Sequence, residues 1–301
     1  MKNTTPHKIH TITEFHQLRG LPKPEHPLIS VINCEDIQHP QEAPDNLVLE
    51  FYSIALKKRF DGKMRYGQQE YDFDEGVMFF MAPEQVFSIE RSVQQKHTGW
   101  ILLIHPDFLW NTPLAKTIRQ YEYFSYSVNE ALYLSEKEEA TIAGILGNIE
   151  HEYHSNIDQF SQRVIIAQLE LLLTYSERFY HRQFLTRKII NHRILDRFEE
   201  MLTGYFNDPK QTGLPTVQYF ARAMNLSSNY LSSLLKVLTG QHTQQHIHNR
   251  LIEKAKERLS TTDLSVSEIA YELGFEHPQS FSKLFKVKTN LSPLEFRQQF
   301  S

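Results

Sequence analysis

The sequence predicts an α+β protein of more than one domain: a small β-barrel with helices following it, then an all-α C-terminal part built on a repeated pair of short helices. Three observations carry this. From Leu47 to Arg91 the chain is rich in β-branched and aromatic residues, in short runs broken by turn signals. After Leu134 the apolar spacing turns helical and stays so. Near the C-terminus, "SEIAYELGF" repeats the pattern of "VQYFARAMNL", which stands 49 residues earlier. A length of 301 residues also exceeds what one core usually organises.

The strands come first. "NLVLEFYSIALKKRF", "RYGQQEYDFDEG" and "VMFFMAPEQVFSIE" read as short strands, and Asp61-Gly62 between the first two is a hairpin signal because both turn positions need positive φ. "TGWILLIHPDFLW" adds a strand and a turn at Pro106. Ser135 and Glu138 form a capping box ahead of a helix carrying Ile142, Ile145, Leu146, Ile149 and Tyr153 on one face. A second helix is predicted on Phe160, Val164, Ala167, Leu171 and Tyr175. Packing on the strands accounts for most of this apolar surface, and a remaining stripe would serve a partner subunit. The basic segment "HRQFLTRKIINHR" reads as the junction, in a loop or within a helix, and "ILDRFEEMLTGYFNDPKQTG" as a helix closed by "NDP". The expected divisions are 1–134 for the regulatory domain, 135–182 for the helical pair, 183–193 for the linker and 194–301 for the C-terminal domain.

Composition narrows the class. The single cysteine, Cys34, forms no intramolecular disulfide, no run of about 18 apolar residues exists, and the start lacks the apolar core of a signal peptide, so a cytoplasmic protein is expected. The overall charge is −4, yet the segment from Ile194 onward holds 12 basic and 11 acidic residues, and His277 to Leu294 contains Lys283, Lys286 and Lys288 with no acid. A second basic cluster comprises Arg178, Arg182, Arg187, Lys188 and Arg193, and a solvated face is the simplest account of either. No Gly-rich phosphate loop, nucleophile motif or carboxylate pair is present, so no enzyme activity and no cofactor are expected. His151 and His154 have metal-ligand spacing on a helix, but a solvated face explains them more simply.

The repeat has a physical logic. Two short helices crossing steeply need a small residue at the crossing, a residue tolerant of the left-handed region in the turn, and apolar residues beneath. The first copy supplies Ala221, Asn225 and the set Phe220, Met224, Leu226, Leu231 and Leu234. The second supplies Ala270, Gly274 and the set Ile269, Leu273, Phe275, Phe281 and Leu284, with Pro278 in the first turn of its last helix. Between them Ile247, Leu251, Ala255 and Leu259 recur every fourth residue, the mark of one amphipathic connector helix. A rigid helix between two helix-turn-helix units would let one chain grip two adjacent major grooves, roughly 34 Å apart.

Here "SEIAYELGFEHPQSFSKLFKVKTNLSPLEFR" resembles the AraC/XylS family of bacterial transcription regulators over the C-terminal hundred residues. The matching residues are Gly274, Phe275, Ser280, Phe281, Lys283, Phe285, Lys286, Pro293, Phe296 and Arg297; Asn290 stands where the family usually carries glycine. The implied partner is double-stranded DNA. With Leu231, Leu234 and Leu235 facing inward, Ser228, Asn229, Ser232, Ser233 and Lys236 are left toward DNA. With Phe281, Leu284 and Phe285 inward, Gln279, Ser282, Lys283 and Lys286 are left outward on the second helix. Gln279 suits adenine, Lys283 guanine and Lys286 a phosphate, whereas short hydroxyls on the first helix read bases less decisively.

The resemblance further implies a cupin-like N-terminal barrel that senses a small-molecule effector, a homodimer formed through the helices after it, and an activator's contact with RNA polymerase, with no membrane association. Two other readings compete for the front half. In one the barrel is a ligand-free dimerisation or docking module. In the other it is a metal-dependent cupin enzyme, which the absence of histidine from Gln41 to Lys96, with Phe87 at the place of a ligand, argues against. Lys57, Arg59, Arg65 and Tyr66 line either a pocket or the outer face, because register alone decides which.

Overall fold

A computed structural model of the chain describes residues 6–37, 46–58, 64–66, 69–71, 76–88, 98–126, 130–155, 158–186, 188–208 and 213–299. The chain divides into two compact units, Met1–Gln183 and Phe184–Ser301. In chain order the first contains β1 (His7–Ile9), α1 (Ile12–Leu18), β2 (Ile29–Asn33), β3 (Asn46–Leu49), β4 (Tyr52–Lys58), β5 (Met64–Tyr66), β6 (Gln69–Tyr71), β7 (Val77–Met81), β8 (Val86–Ser88), β9 (Thr98–Ile104), α2 (Leu114–Thr117), β10 (Leu132–Tyr133), α3 (Glu136–Tyr153) and most of α4 (Ser161–Thr186). The second contains the end of α4, then α5 (Lys188–Asn207), α6 (Val217–Ala223), α7 (Ser228–Thr239), α8 (Thr243–Thr261), α9 (Val266–Glu272), α10 (Pro278–Thr289) and α11 (Pro293–Arg297).

The strands of the first unit form a five-stranded sheet in the order β10-β7-β4-β9-β2, a three-stranded sheet β1-β3-β8, and the pair β5-β6. The expected strand domain is present, and among the described residues its sheets do not close on one another. Asp61-Gly62 and Arg59 lie outside the described residues. One face of the large sheet is covered by aromatic packing, with Phe80 at 4.6 Å from Tyr123, whose hydroxyl donates to the Leu173 carbonyl on α4 at 2.9 Å. Trp100 on the same face donates its indole N–H to Glu150 of α3 at 3.1 Å. The opposite face carries Ile32, Ile101 and Leu103, clustered with Ile9, Leu47, Leu49 and Phe51 of the small sheet's side. Register places Ala55 beside Ile101 and Phe79, and Lys57 two residues further along the same face.

The capping box at Ser135 and Glu138 is present, and Ile142, Ile145, Leu146, Ile149 and Tyr153 are all buried on α3. On α4 the sequence reading picks the wrong face. The buried residues are Ile165, Ile166, Leu169, Leu172 and Leu173, while Phe160, Val164 and Leu171 are 52%, 42% and 44% exposed. Both faces are apolar, so periodicity is satisfied twice and cannot say which one meets the sheet. Residues 183–186 and 188–193 are helical, and α5 begins six residues before the helix read from sequence.

In the second unit two apolar clusters form around α8. Phe198, Leu202, Phe220, Ala221, Met224, Leu231, Leu235 and Ile247 make one. Leu251, Ile252, Ala255, Leu259, Ile269, Ala270, Leu273, Phe275, Phe281 and Phe285 make the other. The α6–α7 and α9–α10 turns are built identically. Asn225 (φ 57) donates to the Arg222 carbonyl and Leu226 to that of Ala221; Gly274 (φ 90) donates to that of Tyr271 and Phe275 to that of Ala270. This is the Schellman closure of a helix end, which needs one left-handed residue. Ala221 and Ala270 are fully buried at the crossings.

At Gly274 space forbids a side chain as firmly as conformation does: a Cβ there would lie 2.2 Å from the carbonyl carbon of Gly213. Gly274→Ala is therefore expected to lower stability by at least about 2 kcal/mol, from strain plus displaced backbone. Asn290 also has a left-handed backbone, φ 63. Asn290→Gly is expected to leave stability unchanged or raise it by up to about 1 kcal/mol. Chemical denaturation of the two variants against the parent checks both.

Candidate nucleic-acid interface

Two helices, α7 and α10, hold all the residues that the sequence singles out. Ser227 caps α7, its hydroxyl accepting from the Tyr230 amide, and Gly240 ends it in the left-handed region. α10 opens with Pro278, whose missing N–H is no loss in a first turn, and ends on left-handed Asn290. Each helix has 12 residues and no acidic side chain. Their inner faces are closed by Tyr230, Leu231, Leu234 and Leu235 on α7 and by Phe281 and Phe285 on α10.

The outer faces differ in quality. On α10, Gln279, Lys283 and Lys286 are exposed and Ser282 is half-buried, a row that follows the 4-3 spacing of one helix face. On α7, Asn229 and Lys236 are exposed, whereas Ser228, Ser232 and Ser233 are half-buried. Ser232 donates its hydroxyl to that of Thr243 on α8 at 3.2 Å, so it braces the connector. Lys236 and Lys286 also stand in the last turns of their helices, where the macrodipole favours positive charge.

Acidic residues of this unit gather elsewhere. Asp196, Glu199 and Glu200 on α5 line a shallow open depression of about 730 Å³. On α8, Arg250 pairs with Glu253 at 3.0 Å and Lys254 with Glu257 at 3.0 Å, and Arg258 pairs with Glu272 of α9 at 2.6 Å. Positive charge on α7 and α10 is thus left without acids on the same helices, as a phosphate-facing surface requires.

Several structural roles escape a sequence reading. Arg297 donates to the carbonyls of Leu259 and Leu264, at 3.3 and 2.6 Å, fastening α11 to the end of α8. Tyr230 packs edge-on against Phe184 at 5.2 Å, and the Asn191 amide donates to the Phe184 carbonyl at 2.6 Å, so Phe184 and Asn191, both in the segment expected as linker, are buried within this unit. Neither signal is periodic, which is why spacing does not find it. His151 and His154 bring no metal ligands together: His154 meets Glu25 at 2.7 Å, and no group of three or more ligand-type residues exists among the described residues. No helix of the described residues is long and apolar enough to cross a membrane.

The helix-turn-helix domain family matches residues 220–299. The C-terminal segment is an AraC/XylS-type helix-turn-helix domain. It is 32% identical over 101 residues to the uncharacterized HTH-type transcriptional regulator YijO of Escherichia coli, covering 34% of this chain and 35% of that one. It is 38% identical over 78 residues to the HTH-type transcriptional activator RhaS of Salmonella arizonae, covering 26% of this chain and 28% of that one. The chain thus spans about a third of the length of these curated relatives. Among solved structures, the C-terminal domain of the two-component response regulator yesN from Fusobacterium nucleatum is 29% identical, covering 34% of this chain and 95% of that one with a TM-score of 0.31.

Two histidines of α8 sit where their surroundings disfavour the charged form. His246 stands 2.8 Å from the Thr239 hydroxyl and edge-on to Phe198; burial pushes its pKa below the ordinary 6.5, with Glu199 pulling partly back. Burial, then the Lys288 ammonium, pushes His248 down from 6.5 as well. A depressed histidine pKa means that the opened state binds the proton more readily, so stability is full above 6.5 and is lost as pH falls through the folded-state values. Hydrogen exchange of α8 amides, corrected for intrinsic rates, is expected to show weaker protection at pH 5 than at pH 7. The loss should be smaller in a His246→Gln/His248→Gln variant.

Proposed function

We propose that this protein is a sequence-specific transcription regulator that binds duplex DNA through two helix-turn-helix units, α6–α7 and α9–α10. The observation that carries this reading is the pair of acid-free helices, closed by the same turn, whose outer rows are polar or basic. Gln279, Lys283 and Lys286 form the stronger reader; Asn229, Ser233 and Lys236 form the weaker one, in line with short side chains that discriminate bases less.

The first unit acts as the regulatory part. Its cupin-like sheet carries Lys57 on the same face as Ala55, Phe79 and Ile101, within 5.4 Å of the Phe79 ring, and burial lowers that lysine's pKa. An effector with an anionic head and an apolar body would suit this face. Burial pushes the Cys34 thiol up to about 11, which makes it a poor nucleophile. The exposed stripe of Val164 and Leu171 on α4, with Phe160 just before that helix, is the surface for a second copy, and contact with RNA polymerase completes an activator's set of partners.

Selection of binding sites from random duplex DNA at fixed, near-physiological salt tests the central claim. Lys283→Ala is expected to weaken binding to the selected site by about 1–3 kcal/mol and binding to random DNA much less. Equal loss on both removes the base-reading role, and no selected site by either the full chain or 184–301 removes the DNA-binding reading. For the dimer, Val164→Asp/Leu171→Asp is expected to halve the mass seen by sedimentation while leaving the fold intact; an unchanged mass assigns the stripe to something else.

A further inference from the structure

The two apolar clusters of the C-terminal unit share the helix α8, with Ile247 in one and Leu251 in the next. Asn249 stands between them, half-buried, at the seam. Its side-chain amide donates to the Gln241 side-chain carbonyl at 2.9 Å, and its own carbonyl accepts from the Lys288 ammonium at 3.2 Å. Gln241 lies in the turn just after α7, where its backbone N–H donates to the Thr239 hydroxyl at 3.2 Å. Lys288 lies in the last turn of α10. One side chain therefore bridges the C-terminal ends of both candidate recognition helices across the connector.

We propose that Asn249 is a positioning residue that fixes the angle and spacing at which α7 and α10 are presented to DNA. The inference rests on the DNA-binding reading above and deepens it. Each cluster keeps its own helix pair packed, but a side chain in one cluster does little to restrain the pair in the other. Bending of α8 between Ile247 and Leu251 would swing the two units relative to each other. Hydrogen bonds from this one α8 side chain to the ends of both helices oppose that swing. An asparagine meets the chemistry required, because its amide offers a donor to a carbonyl on one side and an acceptor to an ammonium on the other.

Asn249→Ala removes both bonds and leaves both apolar clusters untouched, whereas Asn249→Asp keeps the acceptor for Lys288 and lets the Gln241 amide turn over to donate. Spin labels at Arg222→Cys on α6 and Tyr271→Cys on α9, both exposed positions, in a full-length Cys34→Ser chain, report the distance between the units without DNA. The expected result is a narrow distance distribution in the parent, broadened about twofold by Asn249→Ala and restored by Asn249→Asp, since the aspartate keeps both bonds. Binding to the selected site with one base pair added or removed between its two elements gives the second readout. The parent is expected to lose affinity by about tenfold or more, and Asn249→Ala by about threefold or less, because a looser pair tolerates altered spacing. Should Asn249→Ala fail to fold, Gln241→Met removes the same acceptor and is read in the same way.

An unchanged distribution, or spacing discrimination that stays at the parent level, overturns the proposal. A broadened distribution in a protein that selects no DNA site supports the bridge and overturns the DNA-binding reading instead.

Discussion

Everything in the C-terminal unit hangs on one helix, α8. Its buried apolar residues feed two clusters, Ile247 one and Leu251, Ile252, Ala255 and Leu259 the other, and each cluster closes one helix pair. Helical continuity is what relates the pairs: a rise of about 1.5 Å per residue, kept by unbroken backbone bonds, fixes how far apart the two seats lie. The clusters then set the tilt of α7 and α10, and the Schellman turns set where each begins. Side chains on the outer rows inherit their positions from this order of constraints.

The first unit is held by a different balance. Its large sheet is buried on one face by an aromatic layer that includes Phe80, Tyr123, Phe124 and Tyr180, and the hydroxyls of that layer reach backbone carbonyls, Tyr123 to Leu173 and Tyr180 to Glu130. Buried tyrosines are stable there because the ring supplies apolar area and the hydroxyl finds a partner. The other face is less fully closed. Phe79 and Ile101 remain half-buried beside Lys57, so a surface with one cationic group and apolar neighbours lies next to a firmly packed core.

How much of this was legible in the sequence follows from which signals are periodic. The α8 residues at every fourth position, the small alanines at the crossings, and the left-handed Asn225 and Gly274 are local rules, and each holds in the structure. The face of α4 was not legible, because Phe160, Val164 and Leu171 form as regular a stripe as Ile165, Leu169 and Leu172 do. Sheet closure was not legible either, since pairing depends on contacts far apart in sequence; β1, for instance, pairs in parallel with β3. At the candidate interface the exposed row of α10 was readable from helical geometry, while the turning of Ser232 toward Thr243 depends on a neighbouring helix that spacing within α7 cannot reveal.

The close approach of Gly213 to Gly274 bears on how far the two halves of the repeat are interchangeable. Gly213 precedes the first helix pair, yet it occupies the space over the turn of the second. The halves are therefore interlocked rather than serial: the strand of chain leading into one acts as the lid on the other. A transplant of the second pair from a relative would bring a turn without the lid that fits it, so the unit of exchange for recombination is the whole segment from residue 213 onward. That one backbone crossing ties the turn of the second pair to the chain that leads into the first.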